Sequence, residues 1–267
     1  MPYLFDRLDD AQRILAQRPL GLVTDLDGTL SEIAPTPAEA RLDPACRAAL
    51  AQLAARLDLV GVISGRPVAG VRQMVDLDGI EYVGAQGFER WRSGAVQQWG
   101  GEAAVTRTST AVAALRARLP IDGLHFEDKG ALAAIHYRQA THPEGARLAI
   151  WAALAKTPAA RGLVPIEAKR AIELRPSALP HKGTALADLA AEARLRGLFY
   201  LGDDLTDLDA FRSLRAWRTD GRQALAIAVR GDETPDQVAR ETDHYLRGVA
   251  DVARFLAWLA DAVDSRQ

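Results

Sequence analysis

This chain of 267 residues contains little cysteine and no long apolar run, and these two shortages exclude several classes of protein. It has a single cysteine, Cys46, which cannot form an intramolecular disulfide and indicates a reducing compartment. No apolar run reaches the roughly 20 residues that span a bilayer. The N-terminal stretch MPYLFDRLDDAQ carries acids where a signal peptide has its apolar segment. We therefore expect a cytoplasmic protein that does not cross a membrane.

The chain also has no large excess of charge of either sign. Lysine and arginine number 33 against 35 aspartates and glutamates, so the formal net charge is -2. A protein that coats nucleic acid carries a marked positive excess. We expect a small-molecule substrate, no nucleic-acid or membrane partner, and a monomer or weak homo-oligomer.

Three common catalytic signatures are missing as well. The sequence contains neither the G-x-S-x-G of serine hydrolases nor the G-x-x-x-x-G-K-[ST] of P-loop nucleotide hydrolases. Its five histidines show no H-x-x-x-H spacing, and Cys46 falls on the apolar face of a predicted helix, where we expect a buried structural role.

Short apolar strands alternate with amphipathic helices at both ends of the chain, which predicts a Rossmann-like α/β core with a parallel sheet. The predicted strands are 20–26, 59–64, 80–83, 198–201 and 226–229, with helices over 43–57, 67–75 and 182–194 and a closing helix through 249–263. We assign residues 1–104 and 179–267 to this core.

The pattern changes in the middle of the chain. A hairpin over 88–99 is followed by helix 105–119, strands 125–129 and 131–138, helix 143–156, and strands 163–168 and 171–175. This order of one helix and two strands, repeated, predicts a small α+β unit inserted at residues 105–178.

The strongest local signal is DLDGTL, which directly follows the first strand. Asp25 and Asp27 stand two positions apart and point the same way from an extended segment. One carboxylate can hold a cation or attack a phosphorus atom while the other transfers a proton. The alternative is an acidic turn without a catalytic role, since Asp-Gly is common in turns.

A second acidic cluster, GDDLTD, follows the strand at 198–201. Asp203, with Asp25 and the Asp27 backbone carbonyl, provides the oxygen ligands that suit Mg²⁺. Asp204 and Asp207 either support the metal from a second layer or cap the next helix.

Two further elements could bind an anion at the same sheet edge. Ser64 and Gly65, in ISGRP, precede a predicted helix whose N-terminal amides favour negative charge. Lys182 begins a helix, where its charge opposes the helix dipole, so a partner such as phosphate or carboxylate explains it better. Arg66 either assists this loop or is structural.

In their order along the chain, DLDGTL, ISGR, the lysine of HKG, and GDDLTD resemble the four motifs of the haloacid-dehalogenase-like phosphatases. More narrowly, GDDLTDLDAF, HYR at 136–138 and ELRP at 173–176 are similar to the trehalose-6-phosphate phosphatases, as is PTPAEA after the first motif. The resemblance implies a C2-type cap and a Mg²⁺-dependent phosphatase that releases phosphate from trehalose 6-phosphate through an aspartyl-phosphate.

The resemblance also implies individual roles. Asp25 would be the nucleophile and Asp27 the acid that protonates the leaving sugar oxygen, then the base for water. Asp25, the Asp27 carbonyl and Asp203 would hold the metal, and Ser64, Gly65 and Lys182 would bind phosphate. For the sugar, our candidates within the cap are Lys129, Arg138, Lys169 and Glu173. Glu173 alternates with apolar neighbours and so points to the opposite face, where a solvent-exposed role is the alternative.

Two positions depart from the family pattern. Gly84-Ala85-Gln86-Gly87 stands where Gly-x-His-Gly is usual, so a histidine contact to substrate is replaced or absent. Leu208 replaces a glutamate, a change we expect to affect only a helix surface. The alternatives are therefore a phosphatase for another sugar phosphate (sucrose 6-phosphate or a glycosylglycerate phosphate), a phosphosugar mutase, or a sugar-phosphate-binding protein without turnover.

Overall fold

The computed structural model describes residues 1–98, 101–176, 180–218, 221–231 and 234–264. The chain divides into two compact units, one formed by Met1–Gln97 with Pro180–Gln267 and the other by Gln98–Leu179. Within the described residues the strands are β1 (Leu20–Thr24), β2 (Leu59–Ile63), β3 (Glu81–Gly84), β4 (Glu89–Arg92), β5 (Ala95–Gln98), β6 (His125–Lys129), β7 (Leu132–His136), β8 (Leu163–Ala168), β9 (Ala171–Pro176), β10 (Gly197–Gly202), β11 (Gln223–Arg230) and β12 (His244–Arg247). The helices are α1 (Leu8–Leu15), α2 (Pro44–Ala54), α3 (Val68–Val75), α4 (Gly101–Arg118), α5 (Pro143–Lys156), α6 (Lys182–Glu192), α7 (Leu208–Trp217), α8 (Asp236–Glu241) and α9 (Gly248–Asp264).

The first unit is built on one sheet with the strand order β12-β11-β10-β1-β2-β3-β4-β5. The six strands from β12 to β3 are parallel to their neighbours, and β4 runs antiparallel to β3. Every residue of β1, β2 and β10 is buried. Strands covered on both faces become continuous apolar runs, which is how β1 and β2 appear in the sequence.

Helices cover both faces of this sheet. The apolar side chains of α1, α2, α3 and α9 form one buried cluster, and those of α6, α7 and α8 form another on the opposite side. Cys46 lies in the first cluster, and burial raises the pKa of its thiol to about 12. The expected structural role of this cysteine is thus confirmed, because such a thiol carries almost no thiolate at neutral pH.

The second unit is a four-stranded antiparallel sheet in the order β6-β7-β9-β8. Apolar side chains of α4 and α5 pack with Ile135, Ile172 and Leu174 on one face of that sheet. The alternation of one helix and two strands is as the sequence predicts, except that α4 begins at Gly101 and not at residue 105.

A few elements differ from the expectations. The hairpin around Ser93 and Gly94 forms β4 and β5 at the edge of the core sheet, although its last expected residue, Trp99, lies outside the described residues. The sequence did not predict α1, α8 or β12; β12 has only four residues, too few for a clear period. Within the described residues no helix is both long and apolar enough to cross a membrane.

Candidate active site

The two acidic motifs meet at the carboxyl ends of neighbouring strands. β1 and β10 are parallel, with Thr24 beside Leu201, so Asp25 and Asp203 follow them at the same edge. The Asp25 N–H donates to the Leu201 carbonyl at 2.9 Å and continues the ladder. Thr29 Oγ1, from the first motif, donates to Asp203 Oδ1 at 3.2 Å across 174 positions of sequence. Open α/β sheets bind ligands at this edge.

A group of buried carboxylates at this edge could hold a cation. Asp25, Asp203 and Asp207 each place a carboxylate oxygen in this group, and these three oxygens all lie within 4.8 Å of one another. Buried carboxylates repel each other unless a positive charge lies among them. Oxygen donors of this kind fit Mg²⁺, so the donor set agrees with the metal predicted from the sequence.

Lys182 supplies one positive charge within this group. Its Nζ lies 2.9 Å from Asp25 Oδ1 and 2.8 Å from Asp207 Oδ1, and its side chain is 2% exposed. Burial alone would lower the pKa of Lys182, but the charges of Asp207 and Asp25 outweigh it and raise that pKa. The lysine is therefore an ammonium ion at neutral pH, held between two carboxylates.

Asp25 is held in an environment that disfavours its charged form. Burial, together with the neighbouring charges of Asp207 and Asp27, raises the pKa of Asp25 to about 7, although Lys182 acts in the opposite direction. Because a bound cation favours the charged form of a carboxylate, metal binding and ionisation of Asp25 support each other.

The remaining acids of GDDLTD have different partners. Asp204 Oδ1 accepts from the Leu205 N–H at 2.7 Å and caps the short turn that leads into α7. Asp207 is fully buried, and its Oδ2 accepts from the backbone N–H groups of Asp203 and Asp204 at 3.0 and 3.1 Å. The capping alternative thus applies to both residues, which form a capping box at this turn, and Asp207 in addition joins the buried charges.

The Asp27 carboxylate faces an arginine. Arg66 Nε donates to Asp27 Oδ2 at 2.6 Å and Nη2 donates to Oδ1 at 2.7 Å. Arg66 Nη1 also donates to the Pro37 carbonyl at 2.8 Å. The Asp27 side chain is 32% exposed, which leaves it accessible to substrate and water, as a proton-transfer group requires.

The Ser64-Gly65 loop connects β2 to α3. Ser64 is buried, and its Oγ accepts from the Arg66 N–H at 3.2 Å. The helix begins at Val68, whose N–H donates to the Glu89 carboxylate at 2.8 Å. One of the amides expected to attract an anion is thus already bonded to a carboxylate, and the loop residues before it are the ones that could meet phosphate.

Gln86 lies next to this loop. Its N–H donates to the Ser64 carbonyl at 3.0 Å, and its side chain is buried. The turn is tight: Gln86 has φ of 59°, and a Cβ on Gly84 would lie 2.2 Å from the Val68 nitrogen. Position 86 therefore adjoins the Ser64-Gly65 loop, which the sequence predicts to bind phosphate.

The expectation for Leu208 is wrong. It was predicted to change only a helix surface, but its side chain is 8% exposed and belongs to the buried cluster beneath α6 and α7. It is the first residue of α7 and directly follows the short helical turn over Leu205–Asp207.

In the second unit, a polar group lies on the sheet face opposite to α4 and α5. Lys129 Nζ lies 3.4 Å from Glu173 Oε1 and 3.5 Å from Glu127 Oε2. Glu127 Oε2 also forms a hydrogen bond with His136 Nε2 at 2.8 Å. Burial raises the pKa of Glu127, but His136 and Lys129 outweigh it and lower that pKa to about 2. Glu173 points away from the apolar face, as its alternation predicts.

The other two candidates in this unit lie elsewhere. Arg138 follows the end of β7, and Lys169 lies in the turn between β8 and β9, at the end of β7 remote from Lys129. Sequence analysis missed Glu127 and His136. The alternation of side chains along β6 and β7 could have indicated both residues. Glu127 lies two positions before Lys129 on the same face of β6, and His136 lies on that face of the neighbouring strand β7.

Comparison with known proteins agrees with this geometry. The profile of the Trehalose-phosphatase family matches residues 23–245. A trehalose-phosphate phosphatase of Mycobacterium marinum is 37% identical over 97% of this chain and 67% of its own length, so the chain spans about two thirds of that relative. The Candida albicans trehalose-6-phosphate phosphatase C-terminal domain superposes with a TM-score of 0.83 at 22% identity, covering 97% of this chain and 98% of that one. A haloacid dehalogenase-like hydrolase from Bacteroides thetaiotaomicron gives 0.63 at 14% identity, covering 91% and 100%.

Proposed function

The chain belongs to the trehalose-phosphatase family, and from that premise we propose that it hydrolyses trehalose 6-phosphate to trehalose and inorganic phosphate. The observation that carries the proposal is the position of Asp25, buried at the end of β1 with Lys182 Nζ at 2.9 Å. A carboxylate and a fixed ammonium side by side suit attack on a phosphoryl group, since the cation offsets the charge of the incoming oxygens.

In the first step a carboxylate oxygen of Asp25 bonds to phosphorus and the bond from phosphorus to the sugar oxygen breaks. Asp27 donates a proton to that oxygen, so trehalose leaves as a neutral alcohol. Arg66, which bonds to both oxygens of the Asp27 carboxylate in this structure, would release the oxygen that carries the proton and orient the side chain through the other. Lys182 and the Ser64-Gly65 loop bind the oxygens of the phosphoryl group.

In the second step water attacks the phosphorus of the aspartyl-phosphate. Asp27, now a carboxylate, takes a proton from that water, the bond to Asp25 breaks, and inorganic phosphate leaves. One side chain thus acts as acid and then as base, which restores the enzyme to its starting state.

Mg²⁺ fits this site, and Asp25, Asp203 and the Asp27 carbonyl would hold it. When bound, it would neutralise phosphate oxygens so that an anionic carboxylate can approach them. The support for this set is the chemistry of the donors: buried carboxylate oxygens lie close together, and Thr29 Oγ1 donates to Asp203 Oδ1.

For the sugar, we propose that Lys129 and Glu173 bind hydroxyl groups, joined by Glu127, which shares the same sheet face. A lysine between two glutamates offers both donors and acceptors, and the hydroxyls of a disaccharide require both. Arg138 and Lys169 remain candidates at the other end of that unit. A location in the cytoplasm and a monomeric or weakly associated state also stay predictions.

The test is release of inorganic phosphate from a panel of sugar phosphates with and without Mg²⁺. We expect trehalose 6-phosphate to be the preferred substrate and EDTA to abolish turnover. Preference for sucrose 6-phosphate or a glycosylglycerate phosphate would reassign the substrate, and a requirement for a bisphosphate would indicate a mutase.

A matched pair of variants connects the activity to Asp25. Asp25→Asn should abolish phosphate release with the fold intact, while Asp204→Asn, which alters a turn cap in the same motif region, should retain substantial activity. Substantial activity of pure Asp25→Asn would exclude Asp25 as the nucleophile. If the wild type released phosphate from none of the substrates, only the interpretation as a binding protein would be left.

A further inference from the structure

Asp207 accepts four hydrogen bonds. Its Oδ1 accepts from the Tyr200 hydroxyl at 2.6 Å and from Lys182 Nζ at 2.8 Å. Its Oδ2 accepts from the N–H groups of Asp203 and Asp204 at 3.0 and 3.1 Å. An ionised carboxylate has about four lone-pair sites. All of them are directed at donors here, so Asp207 has none left for a cation.

Tyr200 is a neutral donor in this group. It lies in β10 between apolar neighbours, with Val23 beside it on β1, and its ring packs edge-on against Phe211 at a centroid distance of 5.4 Å. Burial raises the pKa of Tyr200, and the charge of Asp207 raises it further. The hydroxyl therefore keeps its proton and stabilises the Asp207 anion without adding a second positive charge.

We propose that Tyr200 is a positioning residue, which holds Asp207 as the partner of Lys182 and keeps Asp207 out of the metal's coordination. Lys182 divides its ammonium between Asp25 at 2.9 Å and Asp207 at 2.8 Å. If Asp207 lost the Tyr200 donor, it would draw Lys182 towards itself and away from Asp25. This inference rests on the proposed roles of Asp25 and Lys182.

The experiment compares Tyr200→Phe with Tyr82→Phe in the full chain. Both substitutions remove only a hydroxyl from a buried ring in the same unit; Tyr82 donates to the Leu77 carbonyl at 2.6 Å, apart from the acidic group. We expect Tyr200→Phe to lower kcat on trehalose 6-phosphate about tenfold, the size of effect expected from the loss of one hydrogen bond to a charged group, with KM little changed. Tyr82→Phe should keep the wild-type kcat.

Two measurements without substrate complete the test. Calorimetry should give Tyr200→Phe a Mg²⁺ affinity close to that of the wild type, because Asp207 is not a ligand. Thermal unfolding should give both variants similar losses of Tm. A kcat of Tyr200→Phe equal to that of Tyr82→Phe would reduce Tyr200 to a structural role, and a marked loss of Mg²⁺ affinity would place Asp207 among the ligands; either result overturns the proposal.

The inference about Tyr200 can be tested separately if the proposed function is wrong. If the wild type does not hydrolyse trehalose 6-phosphate, the same two variants are compared by calorimetric binding of inorganic phosphate in the presence of Mg²⁺. There Tyr200→Phe should bind phosphate about tenfold more weakly than Tyr82→Phe, because Lys182 is displaced. Equal affinities of the two variants would overturn the inference about Tyr200 independently of the substrate.

Discussion

Arg66 bonds to both oxygens of the Asp27 carboxylate, with Nε 2.6 Å from Oδ2 and Nη2 2.7 Å from Oδ1. Its third donor reaches the Pro37 carbonyl, so the arginine joins the acidic motif to the loop that follows it. Two parallel bonds fix the plane of a carboxylate as well as its position. Sequence analysis left Arg66 open between assistance and structure, and on the basis of this contact we propose that it positions Asp27.

Arg66→Lys should lower kcat by about 10- to 100-fold, because lysine keeps the charge but cannot make two parallel bonds and so misplaces the proton-transfer group. Stability should change by less than about 1 kcal/mol, since the pair is partly exposed. The matched control is Arg218→Lys, which breaks a similar two-bond contact with Asp243 in the same unit. Equal kcat values for the two variants would return Arg66 to a structural role.

Asp27→Asn should reduce kcat by about 10²- to 10⁴-fold, the range for loss of proton transfer at both steps. It should keep its Mg²⁺ affinity in calorimetry, because the backbone carbonyl is the proposed ligand. A variant that lost Mg²⁺ affinity and kept its rate at saturating metal would show that the roles of the Asp27 carbonyl and carboxylate were exchanged.

Glu173→Ala should lower kcat/KM for trehalose 6-phosphate far more than for p-nitrophenyl phosphate, since a polar group that bonds a sugar hydroxyl discriminates only between ligands that differ there. Glu167→Ala is the control: it lies in the same sheet but bonds to Arg147 of α5. Equal losses on both substrates would indicate a folding defect or impaired closure, and no loss on either would make Glu173 a solvent-exposed residue.

Because of Glu127, the free energy of unfolding of the second unit should depend on pH. Its pKa falls from 4.5 to about 2 on folding, so the folded chain binds fewer protons than the unfolded chain in this interval. The contribution of Glu127 is therefore complete above pH 4.5 and is lost as the pH falls towards 2. Urea unfolding of wild type and Glu127→Gln should show a difference at pH 6 that shrinks between pH 4.5 and pH 3. A constant difference would exclude this linkage.

Much of the core could be predicted from the sequence, because its signals are local. Buried parallel strands are apolar on both faces, and the acids that follow them mark their carboxyl ends. Asp25 and Asp203 were expected to meet on that basis, and they do. Lys182 was expected near phosphate or carboxylate because it lies at the start of a helix, which is an equally local signal. Its partners in the structure are carboxylates.

Other features required the tertiary structure, since they depend on which element lies beside which. Tyr200 is one more apolar-strand residue in the sequence, and only the turn after β10 brings Asp207 to its hydroxyl. Leu208 was expected at a helix surface because it replaces a glutamate of the family pattern, and helical periodicity does not state which face is covered. Glu127 and His136 share a face only once β6 and β7 are paired in register.

The sequence by itself determined most of the helices and strands and their order, the expectation of an inserted second unit, and the chemical character of the acidic edge. These follow from short-range preferences of the backbone and from the burial of apolar runs. Tertiary structure alone decided how the buried charges are shared: Lys182 between two carboxylates, Arg66 on Asp27, and Tyr200 on Asp207. The physical reason is that an ion pair or hydrogen bond requires contact within about 3 Å, and strand order and turn geometry decide which distant residues approach so closely.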